Sequence, residues 1–194
     1  MEKMVLTHKK QHNFTATLPA TLAGIADSVL RNTYNLDFLY IEHPVIHTAN
    51  HKLDRVKQLL TELGNDFCFV SSHHELLLNN KEVYIDLLFY HRALQCLVAV
   101  DIRPEPYKAE CAGRMNLWLN LINDVMKRED ENRALGLILC TGKDEFEVEY
   151  SLKSLNNPIG VSCFPVCSQK IEKPEAVLKN APALSRMIHR LNIL

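Results

Sequence analysis

The stretch that most constrains this chain is YIDLLFYHRALQCLVAVDIR (84–103), two apolar runs of strand-like composition joined by a short polar turn. Each run carries one carboxylate in an otherwise apolar setting, Asp86 in the first and Asp101 in the second. Side chains alternate along a strand, so Asp86 shares a face with Tyr84, Leu88 and Tyr90, and Asp101 with Leu97, Ala99 and Arg103. A carboxylate among apolar neighbours is costly unless it is paired, hydrogen-bonded or metal-bound. Antiparallel pairing about a turn at His91–Leu94 would bring the two acids together at one end of the hairpin. Two converging acids beside a cation make either a hard-metal site or an ion-pair cluster of Asp86, Asp101 and Arg103. The spacing leaves both open.

With 194 residues, 47% of them hydrophobic and 23% charged, the chain has the composition of one soluble globular domain able to bury a core. A net charge of −1 gives no overall basic field to recommend nucleic acid as a partner, though a local basic groove is compatible with it. Cys68, Cys96, Cys111, Cys140, Cys163 and Cys167 are scattered, mostly within apolar runs, and read as buried cytosolic thiols. Cys163 and Cys167 are close but have no second ligand pair beside them, as a zinc site would need. No apolar run approaches the ~20 residues of a membrane span. These features lead us to expect a cytoplasmic protein without membrane association.

Residues 1–17 are polar and read as a solvated arm. Leu22, Ile25, Ala26, Val29 and Leu30 have helical spacing within 18–34, with Pro19 suited to the first turn. A second helix is expected from Ile46 to Leu63, stopped by Gly64 and carrying His47 and His51 on one face. DFCFVSS and HELLLN, followed by an Asn79–Asn80–Lys81 turn, add two strands to the central pair, a meander of about four. Pro104 and Pro106 end the last of them. Met115, Leu117, Trp118, Leu121, Ile122 and Val125 mark an amphipathic helix over 108–128, with Trp118 read as core. LGLILCT (135–141) is apolar on both faces and reads as a buried strand. A helical segment at 145–155, a strand at 161–166 and a helix at 174–194 interrupted by Pro182 complete an α/β sandwich with a mixed sheet.

Several stretches together resemble the C-terminal nuclease domain of the bacterial YhcG type, within the PD-(D/E)XK superfamily. They are ATLPATLAGIADSVLRNTYNLDFL (16–39), LLTELGNDFCFV (59–70), the 84–104 hairpin, AGRMNLWLN (112–120), LGLILC (135–140), VEYSL (148–152) and NNPIGV (156–161). IDLLFYHR with AGRMN is the most specific combination. The resemblance implies a restriction-endonuclease-like core over 13–167, preceded by a polar arm at 1–12 and followed by a helical extension at 168–194. It implies nuclease activity on DNA, with Asp86 and Asp101 binding Mg²⁺ or Mn²⁺ and Arg103 stabilising developing charge. Arg114 and His73 become candidate nucleic-acid contacts. Possible partners are DNA, a second copy, or a full-length relative carrying the helical domain that such proteins have at their N-terminus.

The resemblance also marks departures. The family carries Glu and Lys on the second strand where this chain has Asp101 and Arg103, and the basic residue beyond has become Glu105 or Pro106. Arginine is permanently charged and prefers a bidentate grip on carboxylate, so Arg103 could clamp Asp86 and Asp101 and occupy the place of a metal, or simply keep the cation that Lys supplies. The alternative to a metal-dependent nuclease is therefore a catalytically degenerate nuclease fold that binds nucleic acid or protein.

Overall fold

The computed structural model describes residues 9–37, 58–79 and 81–165. The hairpin at its centre pairs strand β3 (Lys81–His91) with β4 (Cys96–Ile102), His91 opposite Cys96 and Leu87 opposite Val100. The turn occupies 92–95, where Gln95 takes φ 48° to close it. β2 (Phe67–Leu78) pairs antiparallel with β3, with a bulge between Phe69 and Ser71. The two strands expected here are thus one long strand, which continues through the bulge and the polar SSHH run while staying paired with β3. Asn79, at φ 49°, supplies the left-handed position of the β2–β3 turn.

Past β4, the prolines end the strand at Ile102 and the chain crosses over as α4 (Ala109–Val125). It returns as β5 (Leu135–Cys140), parallel to β4 with Asp101 beside Ile138. After α5 (Glu145–Leu152), β6 (Ile159–Cys163) lies parallel to β5. The Asp144 side chain caps α5 by accepting from Glu147 N at 3.0 Å. Glu147 in turn accepts from Ala109 N at 2.9 Å, so the acidic start of α5 satisfies the first turn of α4. The sixth strand is β1 (Gln11–His12), antiparallel to β6. Residues 9–12 were expected in a solvated arm; instead they are held to the sheet edge. The buried Lys143 ammonium donates to the Lys9 carbonyl and, at 2.8 Å, to Gln11 Oε1. Burial holds the Lys143 pKa below the usual lysine range.

The sheet order is β1-β6-β5-β4-β3-β2. One face packs on α4 and α5, joining Leu88, Ala99, Ile138 and Val161 to Met115, Trp118, Leu119, Ile122 and Val148. The opposite face packs on α1 (Phe14–Thr17), α2 (Ala20–Val29) and α3, of which residues 58–63 are described. Each fully buried Leu, Ile, Met or Val contributes roughly 1.5–3 kcal/mol relative to exposure. With both faces covered, β5 is buried along its whole length, as its unbroken apolar run predicts. Trp118 lies in the core, 3% exposed, as expected. The helix expected over 18–34 is shorter. Pro19 separates α1 from α2, and residues 30–36 are not helical, with Thr33 bridging Cys163. The first part of the helix from Ile46, with His47 and His51, lies outside the described residues. So do Cys167 and the C-terminal extension.

Gly160 sits where β6 passes under α1 and α2. A Cβ there would lie 2.7 Å from Leu30 Cδ2 and 2.8 Å from Phe14 Cζ, both in buried side chains. Gly160→Ala should therefore cost about 1–3 kcal/mol through overpacking. In urea unfolding this would appear as a lower midpoint at unchanged slope.

Candidate active site

The ladder between β3 and β4 stops at Leu87 opposite Val100, and the same register places Asp86 opposite Asp101. Opposed residues of an antiparallel pair share a face, so both carboxylates point to the side of the sheet covered by α4. β2 remains paired with β3 down to Leu78–Lys81, so β3 leaves the six-stranded sheet at this point and runs on in a two-stranded ribbon. Asp101 stays in the body of the sheet and is 0% exposed, while Asp86, at the rim, is open to water. Arg103 N donates to Leu139 O at 2.6 Å, carrying the line of β4 two residues past Asp101. Arg114 comes from α4.

The four side chains form one cluster. Arg103 Nε donates to Asp101 Oδ1 at 2.8 Å, and an Arg114 terminal nitrogen donates to Asp101 Oδ2 at 2.6 Å. These are charge-assisted bonds, one to each oxygen of a buried carboxylate, which is how a buried charge becomes tolerable. Arg114 also lies over the Trp118 ring, 5.6 Å from its centroid, which steadies the guanidinium. Its Nε is buried and has no acceptor among the described residues. Asp86 takes no guanidinium hydrogen bond among the described residues. Desolvation by the protein around it, and then the Asp101 carboxylate, raise its pKa from 3.8 to about 7. The two arginines face two carboxyl groups, of which Asp86 is only partly ionised near neutral pH, so the cluster carries a small positive excess.

The expected hairpin juxtaposition of Asp86, Asp101 and Arg103 is thus present, but the grip differs. Arg103 holds Asp101 without holding Asp86. Arg114, assigned to phosphate from the sequence, is the second clamp on Asp101. No spacing rule links a strand residue to a helix residue thirteen positions on, so this contact had no sequence signal. His73 lies on the ribbon at φ 51°, its ring stacked on Tyr84 at 4.2 Å between centroids and 11° between planes. His74 instead bonds Ser71 Oγ at 2.9 Å, and burial lowers its pKa. A cleft of about 520 Å³ between β1 and α5, lined by Lys10, His12, Glu145, Glu149 and others, includes none of these residues.

A family model described as YhcG PDDEXK nuclease domain matches residues 27–180. The chain belongs to that family. A curated relative in Escherichia coli (strain K12), named "Putative nuclease YhcG", is 31% identical over 164 residues, covering 81% of this chain and 43% of the relative. The chain therefore spans less than half the length of that relative. Among solved structures it is similar to one described as "Structure of EndoMS-dsDNA2 complex", at TM-score 0.39 and 6% identity, covering 68% of this chain and 50% of the other. No helix among the described residues is long and apolar enough to cross a membrane.

For a YhcG-family domain, the implied divalent cation would sit between Asp86 and Asp101. Among the described residues no group of three or more His, Cys, Asp and Glu side chains is placed to hold a metal. Both Asp101 oxygens already accept from guanidinium groups, and Asp86 retains much of its proton at neutral pH. As arranged, these residues do not fit a divalent cation. Two cations of the chain's own occupy the electrostatic role that a metal would have.

Proposed function

We propose that this YhcG-family domain binds the phosphate backbone of DNA at the Arg103–Asp101–Arg114 cluster, and that its phosphodiester hydrolysis is suppressed. The observation that carries this reading is the pair of guanidinium bonds at 2.8 and 2.6 Å that occupy both oxygens of Asp101. One-metal hydrolysis needs carboxylate oxygens open to the ion and a cation or base beside the attacking water. Here the invariant charge of arginine is spent on the carboxylate itself. The small positive excess and the part of each arginine side chain that stays in water, 28% for Arg103 and 35% for Arg114, both favour an incoming anionic oxygen.

A second reading, metal-dependent hydrolysis of DNA, is favoured by the opposed placement of Asp86 and Asp101 at the sheet rim. Titration with Mn²⁺ or Mg²⁺ separates the two, with melting temperature and plasmid nicking as readouts. Suppressed hydrolysis predicts no metal-dependent nicking and no rise in melting temperature, because the oxygens of Asp101 are already taken by the arginines and leave the ion nothing to bind there. It further predicts that Arg103→Gln flattens the salt dependence of DNA binding by a slope of about 1. Metal-dependent nicking that disappears in Asp86→Asn would establish the second reading instead.

A further inference from the structure

We propose that the His73–Tyr84 stack is a platform for an unpaired nucleobase, so that the DNA preferred by this site carries a single-stranded segment next to the phosphate held by the arginines. The inference rests on the reading of the neighbouring cluster as a DNA phosphate site.

Three features of the ribbon converge on it. His73 adopts φ 51° within a strand, a conformation that non-glycine residues occupy at a cost and that concentrates at functional positions. That backbone kink turns the imidazole onto Tyr84, its diagonal neighbour across the β2–β3 ladder, where Tyr84 itself is opposite Glu75. His73 is exposed and Tyr84 half-buried, so the imidazole is the outer ring of a supported two-ring stack. The Tyr84 hydroxyl is tied to Glu82, which fixes the lower ring and holds its pKa at about 12.

Position and charge then select the ligand. Tyr84 and Asp86 are two residues apart on β3 and share a face, about 7 Å along the strand. Asp86 in turn is opposite Asp101 by register, so the stack adjoins the arginine cluster. Glu75 and Glu82 surround the rings, and neither side chain is balanced by a basic group in a salt bridge among the described residues. That acidic rim repels phosphate and leaves the base, with its π face, as the part of a nucleotide that can settle there. Stacking of this kind tolerates any base and is unavailable to a base inside a duplex. The geometry thus divides one nucleotide chain between two adjoining surfaces, phosphate on the arginines and base on the imidazole.

The test uses the full chain without added metal, at one fixed salt concentration. Two DNA ligands of equal length are compared by fluorescence anisotropy, one single-stranded and one fully duplex, the single strand also carrying 2-aminopurine. The platform predicts quenching of 2-aminopurine on binding, and a single-strand to duplex affinity ratio that falls about tenfold in Tyr84→Ala and in His73→Gly. Glycine at position 73 accepts φ 51° without strain, so His73→Gly removes the ring while favouring the native backbone. Tyr84→Phe should retain the quenching. Binding with an unchanged ratio, or quenching that survives both ring deletions, would overturn the platform alone. Failure of the unmutated chain to bind either DNA would overturn the phosphate reading and the platform with it.

Discussion

Asp101→Asn is expected to lower the unfolding free energy by about 2 kcal/mol near neutral pH. The substitution keeps the side-chain shape but leaves Arg103 and Arg114 without the charge that each bonds directly. Breaking a fully buried pair in this way costs about 3–5 kcal/mol. The expected loss is smaller for two reasons. The guanidinium side chains keep 28% and 35% of their surface in water, which screens them once they are unpaired. In addition, Asp86 is kept protonated partly by the Asp101 charge, so removing that charge lets it ionise and supply a substitute. Urea unfolding of Asp101→Asn measures the loss, and a cost below about 0.5 kcal/mol would mean that the clamp is not made in solution.

Asp86→Asn should have the opposite effect, stabilising the fold by about 1–2 kcal/mol at pH 8 and by nothing measurable near pH 4. The sign follows from the raised pKa. Folded Asp86 holds its proton up to about pH 7, whereas the unfolded group releases it near 3.8. Between those values the folded state binds more protons, so stability falls as pH rises, and the full penalty is present above pH 7. Asparagine has no proton to lose and escapes the penalty. Solvent on the open side of Asp86 screens the effect, which is why the expected gain is well below the value for an enclosed carboxylate. The check is a set of urea midpoints from pH 4 to pH 8 for both chains; parallel curves would show that Asp86 titrates normally. In the Asp101→Asn background the effect should reverse, because among the described residues Asp86 is then the carboxylate left to the two arginines. This change of sign in a double-mutant cycle would establish that the acids compete for one pair of cations.

Much of this arrangement could be read from residue order. Two apolar runs of period 2 around a short turn admit few alternatives to a hairpin, and its antiparallel register alone brings Asp86 to Asp101. The long amphipathic helix containing Trp118 and the doubly buried strand at 135–140 were equally clear, because burial on one face or two leaves a periodic record. Other parts left none. β1 is made of Gln11 and His12, joined to β6 through backbone hydrogen bonds that any residues can make. The polar run Ser71–His74 disguised one strand as two, since the ladder to β3 that carries the strand through it is made by the backbone and leaves no mark in residue type.

The amino-acid sequence by itself determined the pairing of the acids, the identity of the cation two residues beyond the second, and membership of a nuclease family. Local periodicity and residue type are enough for those. Only the tertiary structure decided that Arg114 reaches from α4 to take the second oxygen of Asp101, that Arg103 and Arg114 both bond Asp101 and not Asp86, and that His73 folds back onto Tyr84. Each of these depends on how a helix lies over a sheet or how a ribbon bends as it leaves one. Such distances are set by packing between elements far apart in the chain, so no local pattern of residues encodes them.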